Sequence, residues 1–138
     1  MIGIVIVAHG GLAREYLAAM EHVVGKQGGT AAVSIDADDD CGSKQAEVNA
    51  AVAAVDDGQG VVVVTDMFGS TPSNLATRAC YKDPTRRVLY GANLPLLVKL
   101  AKARHKPLND AVSSALTAGR KYINCFDGFG PNGAPIAP

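Results

Sequence analysis

The sequence predicts an α/β fold with three layers, α/β/α, in which helices cover both faces of a mainly parallel sheet. Three observations point there. The chain opens on an unbroken apolar run, Ile2 to Ala8, which suits a strand buried on both faces. A second run, Val61 to Thr65, is β-branched throughout and is the strongest strand candidate. Between and after these runs, segments with helical spacing alternate with short strand-like segments.

Each element can be justified in turn. After the first strand come His9, Gly10 and Gly11, then a helical pattern carried by Leu12, Tyr16, Leu17, Met20, Val23 and Val24, with Gly25 at its exit. Thr30 to Ile35 reads as a second strand. An acidic loop holding Asp36, Asp38, Asp39 and Asp40 precedes a second helix over Ser43 to Val55, with Ser43 as its expected N-cap and Glu47 supporting the first turn. The third strand ends at Asp66, and a loop from Met67 to Thr71 leads to Pro72, a good first residue for a third helix reaching Cys80. Arg87 to Ala92 is the fourth strand. Asn93 and Pro95 open a fourth helix, Leu94 to Ala103, which Pro107 follows. A fifth helix starts at Asn109 or Asp110 and ends near Gly119, and Lys121 to Phe126 is expected to be a last, short strand. Residues 128–138 are rich in Gly, Pro and Ala and read as a tail, leaving residues 1–127 as one domain.

Composition narrows the function. The 138 residues can build one domain with a real core, and at 48% hydrophobic and 19% charged the chain is globular. Its 13 basic and 13 acidic side chains cancel, no basic stripe appears, and Trp is absent, which argues against a nucleic-acid binder. No apolar stretch approaches the ~20 residues of a membrane span, and the N-terminus lacks the basic residue that opens a signal peptide. Cys41, Cys80 and Cys125 are scattered and odd in number, as expected for reduced thiols in the cytoplasm.

Right-handed crossovers put the ends of strands one and three side by side at the carboxyl edge of the sheet. His9 and Asp66 would meet there. A histidine nucleophile must be neutral and in one tautomer; a carboxylate on Nδ1–H fixes that tautomer and leaves the Nε2 lone pair free. Two helices begin at the same edge. Gly10, Gly11, Gly69, Ser70 and Thr71 in their leading loops allow close approach to an anion, with hydroxyl donors from Ser70 and Thr71. These parts suit phosphoryl transfer, which depends on positioning and charge stabilisation. Taken singly, His9 is more often a structural histidine, Asp66 a turn-former and Gly10-Gly11 a tight turn; only their combination carries chemistry. His22 and His105 read as surface or packing residues. The acidic loop lacks EF-hand spacing. No Walker-type or G-x-S-x-G motif occurs.

Three segments resemble the IIA domain of the mannose-family sugar phosphotransferase system (PTS): Ile4-Val-Ile-Val-Ala-His-Gly10, Thr65-Asp-Met-Phe-Gly-Ser-Thr-Pro-Ser-Asn74 and Gly91-Ala-Asn-Leu-Pro-Leu-Leu97. The resemblance runs from the first strand to about Phe126. It implies that His9 is phosphorylated on Nε2, that Asp66 supports it, and that Thr71 lies near the phosphoryl group. It implies a phosphocarrier that accepts phosphoryl from the protein HPr and passes it to a separate IIB component during hexose uptake, with no metal or organic cofactor. It further implies a homodimer in which the last strand, matching Lys121 to Phe126, runs antiparallel in the partner's sheet. Two positions depart from the family pattern: Gly69-Ser70 replaces a common Gly-Gly, and Ala8 stands where Ser often precedes the histidine.

Two other readings compete. One is a regulatory PTS module whose His9 phosphorylation state controls partner binding without sugar transport. The other is a receiver-like domain phosphorylated on Asp66, against which the first strand ends in Ala8-His9 rather than a magnesium-binding acidic pair. The phosphotransfer subunits of dihydroxyacetone kinases share a similar first strand and histidine, but the Asp66 to Asn74 segment favours the mannose family.

Overall fold

A computed structural model describes all 138 residues. Its elements, in chain order, are β1 (Gly3–His9), α1 (Leu12–Val24), β2 (Thr30–Ile35), α2 (Cys41–Val55), β3 (Val61–Thr65), α3 (Thr71–Cys80), β4 (Arg86–Leu89), α4 (Leu94–Lys102) and α5 (Leu108–Lys121). The four strands form one parallel sheet in the order β2-β1-β3-β4. The two apolar runs of the sequence are therefore its central strands.

Alternation along β1 and β3 divides the core in two. Ile4, Ile6, Val62 and Val64 face α1, α4 and α5, where Ala13, Met20, Leu97, Leu100 and Ala115 close the layer. Val5, Val7, Val61 and Val63 face α2 and α3, against Val48, Val52, Leu75 and Ala76. Burying one such Val or Leu contributes about 1.5–3 kcal/mol. With both faces covered, β1 and β3 have no place for polar residues before their carboxyl ends.

Several boundaries differ from the sequence reading, each for a local reason. Helix α2 begins at Cys41 because Asp40, not Ser43, is its N-cap: Asp40 Oδ2 accepts the Ser43 N–H at 2.8 Å. Glu47 instead pairs with the Lys44 ammonium at 2.9 Å. Helix α5 starts at Leu108, directly after Pro107, and runs on through Lys121. The last strand expected over Lys121 to Phe126 does not form within this chain: Lys121 closes α5, and Tyr122 to Phe126 lie exposed outside the four-stranded sheet. Strand β4 stops at Leu89, since the chain then folds back over β3: Gly91 and Ala92 N–H donate to the carbonyls of Asp66 (3.1 Å) and Thr65 (3.0 Å). Residues 128–138 contain no helix and one isolated antiparallel bridge, Phe129 to Pro135.

Candidate phosphoryl-transfer site

His9 is the last residue of β1 and Asp66 the first after β3, and the two strands are direct neighbours. His9 Nδ1 lies 2.7 Å from Asp66 Oδ2. The His9 backbone N–H also donates to Oδ2 at 3.0 Å, and the Met67 N–H donates to Oδ1 at 2.9 Å. Both carboxylate oxygens are thus held by main chain, and the carboxylate cannot swing away from the ring. The side chain of Asp66 is only 9% exposed while that of His9 is 47% exposed.

Partial burial by itself would raise the Asp66 pKa. The hydrogen bonds from the His9 N–H, the His9 ring and the Met67 N–H outweigh it and hold the carboxyl below its ordinary range. An ionised carboxylate can only accept, so Nδ1 carries the ring proton and Nε2 presents its lone pair to solvent.

The strand-to-helix turn after His9 needs Gly10, whose φ of +54° lies in the left-handed region. Its N–H is engaged by the Ile35 carbonyl at 2.9 Å and is not available to an anion. Gly69 behaves alike: φ is +83°, and its N–H is taken by Ser73 Oγ at 2.9 Å. The Ser70 hydroxyl donates to the Met67 carbonyl at 2.7 Å. Gly10, Gly69 and Ser70 therefore shape the two loops rather than offer donors. Gly11 and Ser70 are the N-caps of α1 and α3, and neither helix has a side-chain cap, so the N–H groups of Leu12, Ala13 and Arg14 in α1 and of Thr71 and Ser73 in α3 stay open, Pro72 having none. Thr71, at the start of α3, lines a cavity of about 290 Å³ together with His9, Asp36, Asp39, Cys41 and Lys44.

Three supporting roles escaped the sequence reading. Ser73 is buried and links the loop to its helix, accepting from Gly69 N–H and donating to the Ser70 carbonyl at 3.0 Å. Its signal was a Ser directly after the Pro that opens the helix. Ala92 holds the end of β3 and is itself anchored by the Tyr16 hydroxyl, which donates to its carbonyl at 3.1 Å. Lys44 reaches the His9 cavity from α2, and nothing in its spacing announced that. Asn93 does cap α4 as expected, accepting the Leu96 N–H at 2.9 Å, and its Nδ2 also donates to the Gly119 carbonyl at 3.0 Å. The three cysteines are free thiols. No group of three or more His, Cys, Asp or Glu has metal-binding geometry, and the acidic loop spends Asp39 on the Asp36 N–H at 2.7 Å and Asp40 on its cap.

Comparison with known proteins agrees with this architecture. The chain is 28% identical over 127 residues to the mannose-specific EIIAB component of the PTS from Escherichia coli (strain K12), matching 91% of this chain but 39% of that protein. It thus spans about two-fifths of the length of the curated relatives it matches. A solved PTS component EIIA from Streptococcus agalactiae superposes with a TM-score of 0.81 at 28% identity, covering 91% of this chain and 98% of that one. A mannose/sorbose-specific IIA subunit from Enterococcus faecalis gives a TM-score of 0.81 at 26% identity, covering 91% and 95%. The EIIA-man family model, described as the PTS system fructose IIA component, matches residues 3–116. This stretch takes in β1, β3 and the loops that carry His9 and Asp66, and the chain belongs to the EIIA-man family of phosphotransferase-system IIA components.

Proposed function

We propose that this chain is a phosphohistidine carrier: His9 accepts a phosphoryl group on Nε2 from the phosphohistidine of HPr and passes it to a IIB component. The observation that carries the reading is the 2.7 Å contact between His9 Nδ1 and Asp66 Oδ2. In the forward step the Nε2 lone pair forms an N–P bond while the donor's N–P bond breaks, its electron pair returning to the donor imidazole. Positive charge grows on the His9 ring, and the ionised Asp66 stabilises it. Negative charge on the phosphoryl oxygens falls toward the open N-termini of α1 and α3 and the Thr71 hydroxyl. Return transfer reverses these roles, so no proton need leave the His9–Asp66 pair.

Transfer to another protein requires access, and His9 has it. Met67 and Phe68, both exposed, stand on the loop beside it, with Phe68 packed edge-on against Tyr90. The site works at a protein–protein contact in the cytoplasm, and no helix of the chain is long and apolar enough to cross a membrane.

The proposal extends to a homodimer. Strand β4 is an edge strand, and exposed Tyr122, Ile123 and Phe126 follow α5, with Ile123 lining a groove beside Val88 and Leu89 of β4. Pairing of this segment, antiparallel, in the sheet of a second copy would cover both. Light scattering should give twice the monomer mass, and a chain cut after Lys121 should fall to monomer.

The direct test is incubation with phosphoenolpyruvate, the first enzyme of the system and HPr. The protein should gain one phosphoryl group that is lost in acid and survives alkali. Alkali-labile label would instead place it on Asp66. Label on His9 that no IIB component accepts would favour the regulatory reading.

A further inference from the structure

Lys44 lies in the first turn of α2, where a cation opposes the helix dipole. Local preference does not account for it there. Its side chain is 22% exposed, against 50% for its partner Glu47. The ammonium donates to Glu47 Oε2 at 2.9 Å and lies 3.8 Å from Asp39 Oδ2. The bond to Glu47 keeps it in the charged form. Among the nine residues lining the His9 cavity it is the only Lys or Arg, and two of the others, Asp36 and Asp39, are acidic.

These facts create a problem for a phosphorylated His9. A phosphoryl group brings about −1.5 to −2 charges at neutral pH. It would enter a space bordered by Asp36 and Asp39, with Asp66 behind the ring. At the start of α2 the Ser43 N–H is already taken by Asp40, which brings one more carboxylate to this end of the helix. The full positive charge that α2 brings to this cavity is the Lys44 side chain.

We infer that Lys44 is a phosphoryl-binding residue: when the group sits on His9 Nε2, the ammonium exchanges Glu47 and Asp39 for a phosphoryl oxygen. This rests on the phosphohistidine reading above. The exchange is easy on the Glu47 side, since that carboxylate is half exposed and turns to water. Lys44 moves no proton. It neutralises charge that the acidic loop would otherwise repel, and so makes loading faster and the N–P bond longer-lived.

The test uses a donor that needs no protein partner. Phosphoramidate transfers its phosphoryl to imidazole, its P–N bond breaking with loss of ammonia as the His9 N–P bond forms. Wild type, Lys44→Met, Lys44→Arg and His9→Ala are each incubated with it, and ³¹P NMR follows loading, the resonance position and decay. Lys44→Met should load roughly tenfold more slowly, the scale of one charge-assisted hydrogen bond, and lose its label several-fold faster. Its phosphoryl resonance should shift from the wild-type position. Lys44→Arg should recover loading to within about threefold, because a guanidinium restores the charge. Equal loading, decay and resonance in Lys44→Met and wild type would overturn the proposal, as would a folded Lys44→Arg that behaves like Lys44→Met. Failure of wild type to take label on His9 would overturn the carrier reading itself, a distinct result.

Discussion

The two edges of the sheet each hold a nitrogen base among polar groups, and they treat it in opposite ways. At the amino edge, Arg104 is 1% exposed. Its Nε donates to the Ile2 carbonyl and its Nη2 to the Gly29 carbonyl, both at 2.8 Å, while Nη1 reaches Gln27 Oε1 at 3.1 Å. Burial pulls the guanidinium pKa down, with Asp57 pulling the other way. Its three nitrogens are engaged with main chain and an amide, which makes it a structural bolt between β1, β2 and the end of α4. At the carboxyl edge, one ring nitrogen of His9 is fixed by Asp66 and the other is left bare. The helices that start beside it, α1 and α3, lack side-chain caps, whereas α2 and α4 are capped by Asp40 and Asn93. A fully satisfied polar cluster stabilises; a half-satisfied one, held rigid, is available to a ligand.

The contrast predicts that the two clusters fail differently. His9→Ala should abolish phosphorylation while leaving the urea midpoint almost unchanged, because the ring is half exposed; loss of folding would make His9 structural after all. Asp66→Asn should lower the transfer rate by about 10² or more, since a neutral amide neither selects the tautomer as firmly nor balances the cationic ring. This variant also has a pH signature. The folded pKa of Asp66 is depressed, so its stabilisation is present above the unfolded value of about 3.9 and is lost as pH falls through the folded value. The stability gap between wild type and Asp66→Asn should therefore be full at pH 7 and shrink below about pH 4, as urea melts at several pH values would show.

Arg104→Met should do the reverse of His9→Ala. It leaves the buried carbonyl of Ile2 without a donor, while that of Gly29 keeps the Ile4 N–H, at a cost of about 1–3 kcal/mol, and the phosphotransfer rate per folded molecule stays within about twofold of wild type. Ser73→Ala removes the hydrogen bonds to Gly69 and Ser70 and should cost about 1–2 kcal/mol, with a several-fold slower transfer as the loop loosens. Ser70→Gly, which restores the commoner Gly-Gly, should change least. It loses only the bond to the Met67 carbonyl, so stability should move by about 1 kcal/mol or less and transfer by under about threefold.

The sequence made the carboxyl edge more legible than the amino edge. Unbroken apolar runs, β-branched residues and turn glycines announce β1, β3 and the loops after them, and crossover handedness then brings His9 and Asp66 together. Who donates to whom was not legible. Gly10, Gly69 and Ser70 looked like anion-binding residues, yet their protons are spent on neighbouring carbonyls and a hydroxyl that close the two tight turns. Asp40 outcompeted Ser43 as the α2 cap, since it stands one residue before the helix with its carboxylate over the Ser43 N–H. Lys44 and Arg104 carried no signal in the sequence, for only the tertiary fold brings the His9 cavity to the one and the Ile2 and Gly29 carbonyls to the other. The segment after Gly119 carried strand-like residues, but α5 extends through Lys121, where Arg120 and Lys121 suit the negative end of the helix dipole.

The central claim is that Asp66 keeps the proton of His9 on Nδ1 and leaves Nε2 as the nucleophile. Long-range ¹H–¹⁵N correlation spectra of the His9 ring, recorded near pH 8 before and after phosphorylation, test it most directly. The account predicts a protonated Nδ1 in the free protein and phosphorus bound to Nε2 afterwards. A free protein with the proton on Nε2, or phosphorus found on Nδ1, would contradict it.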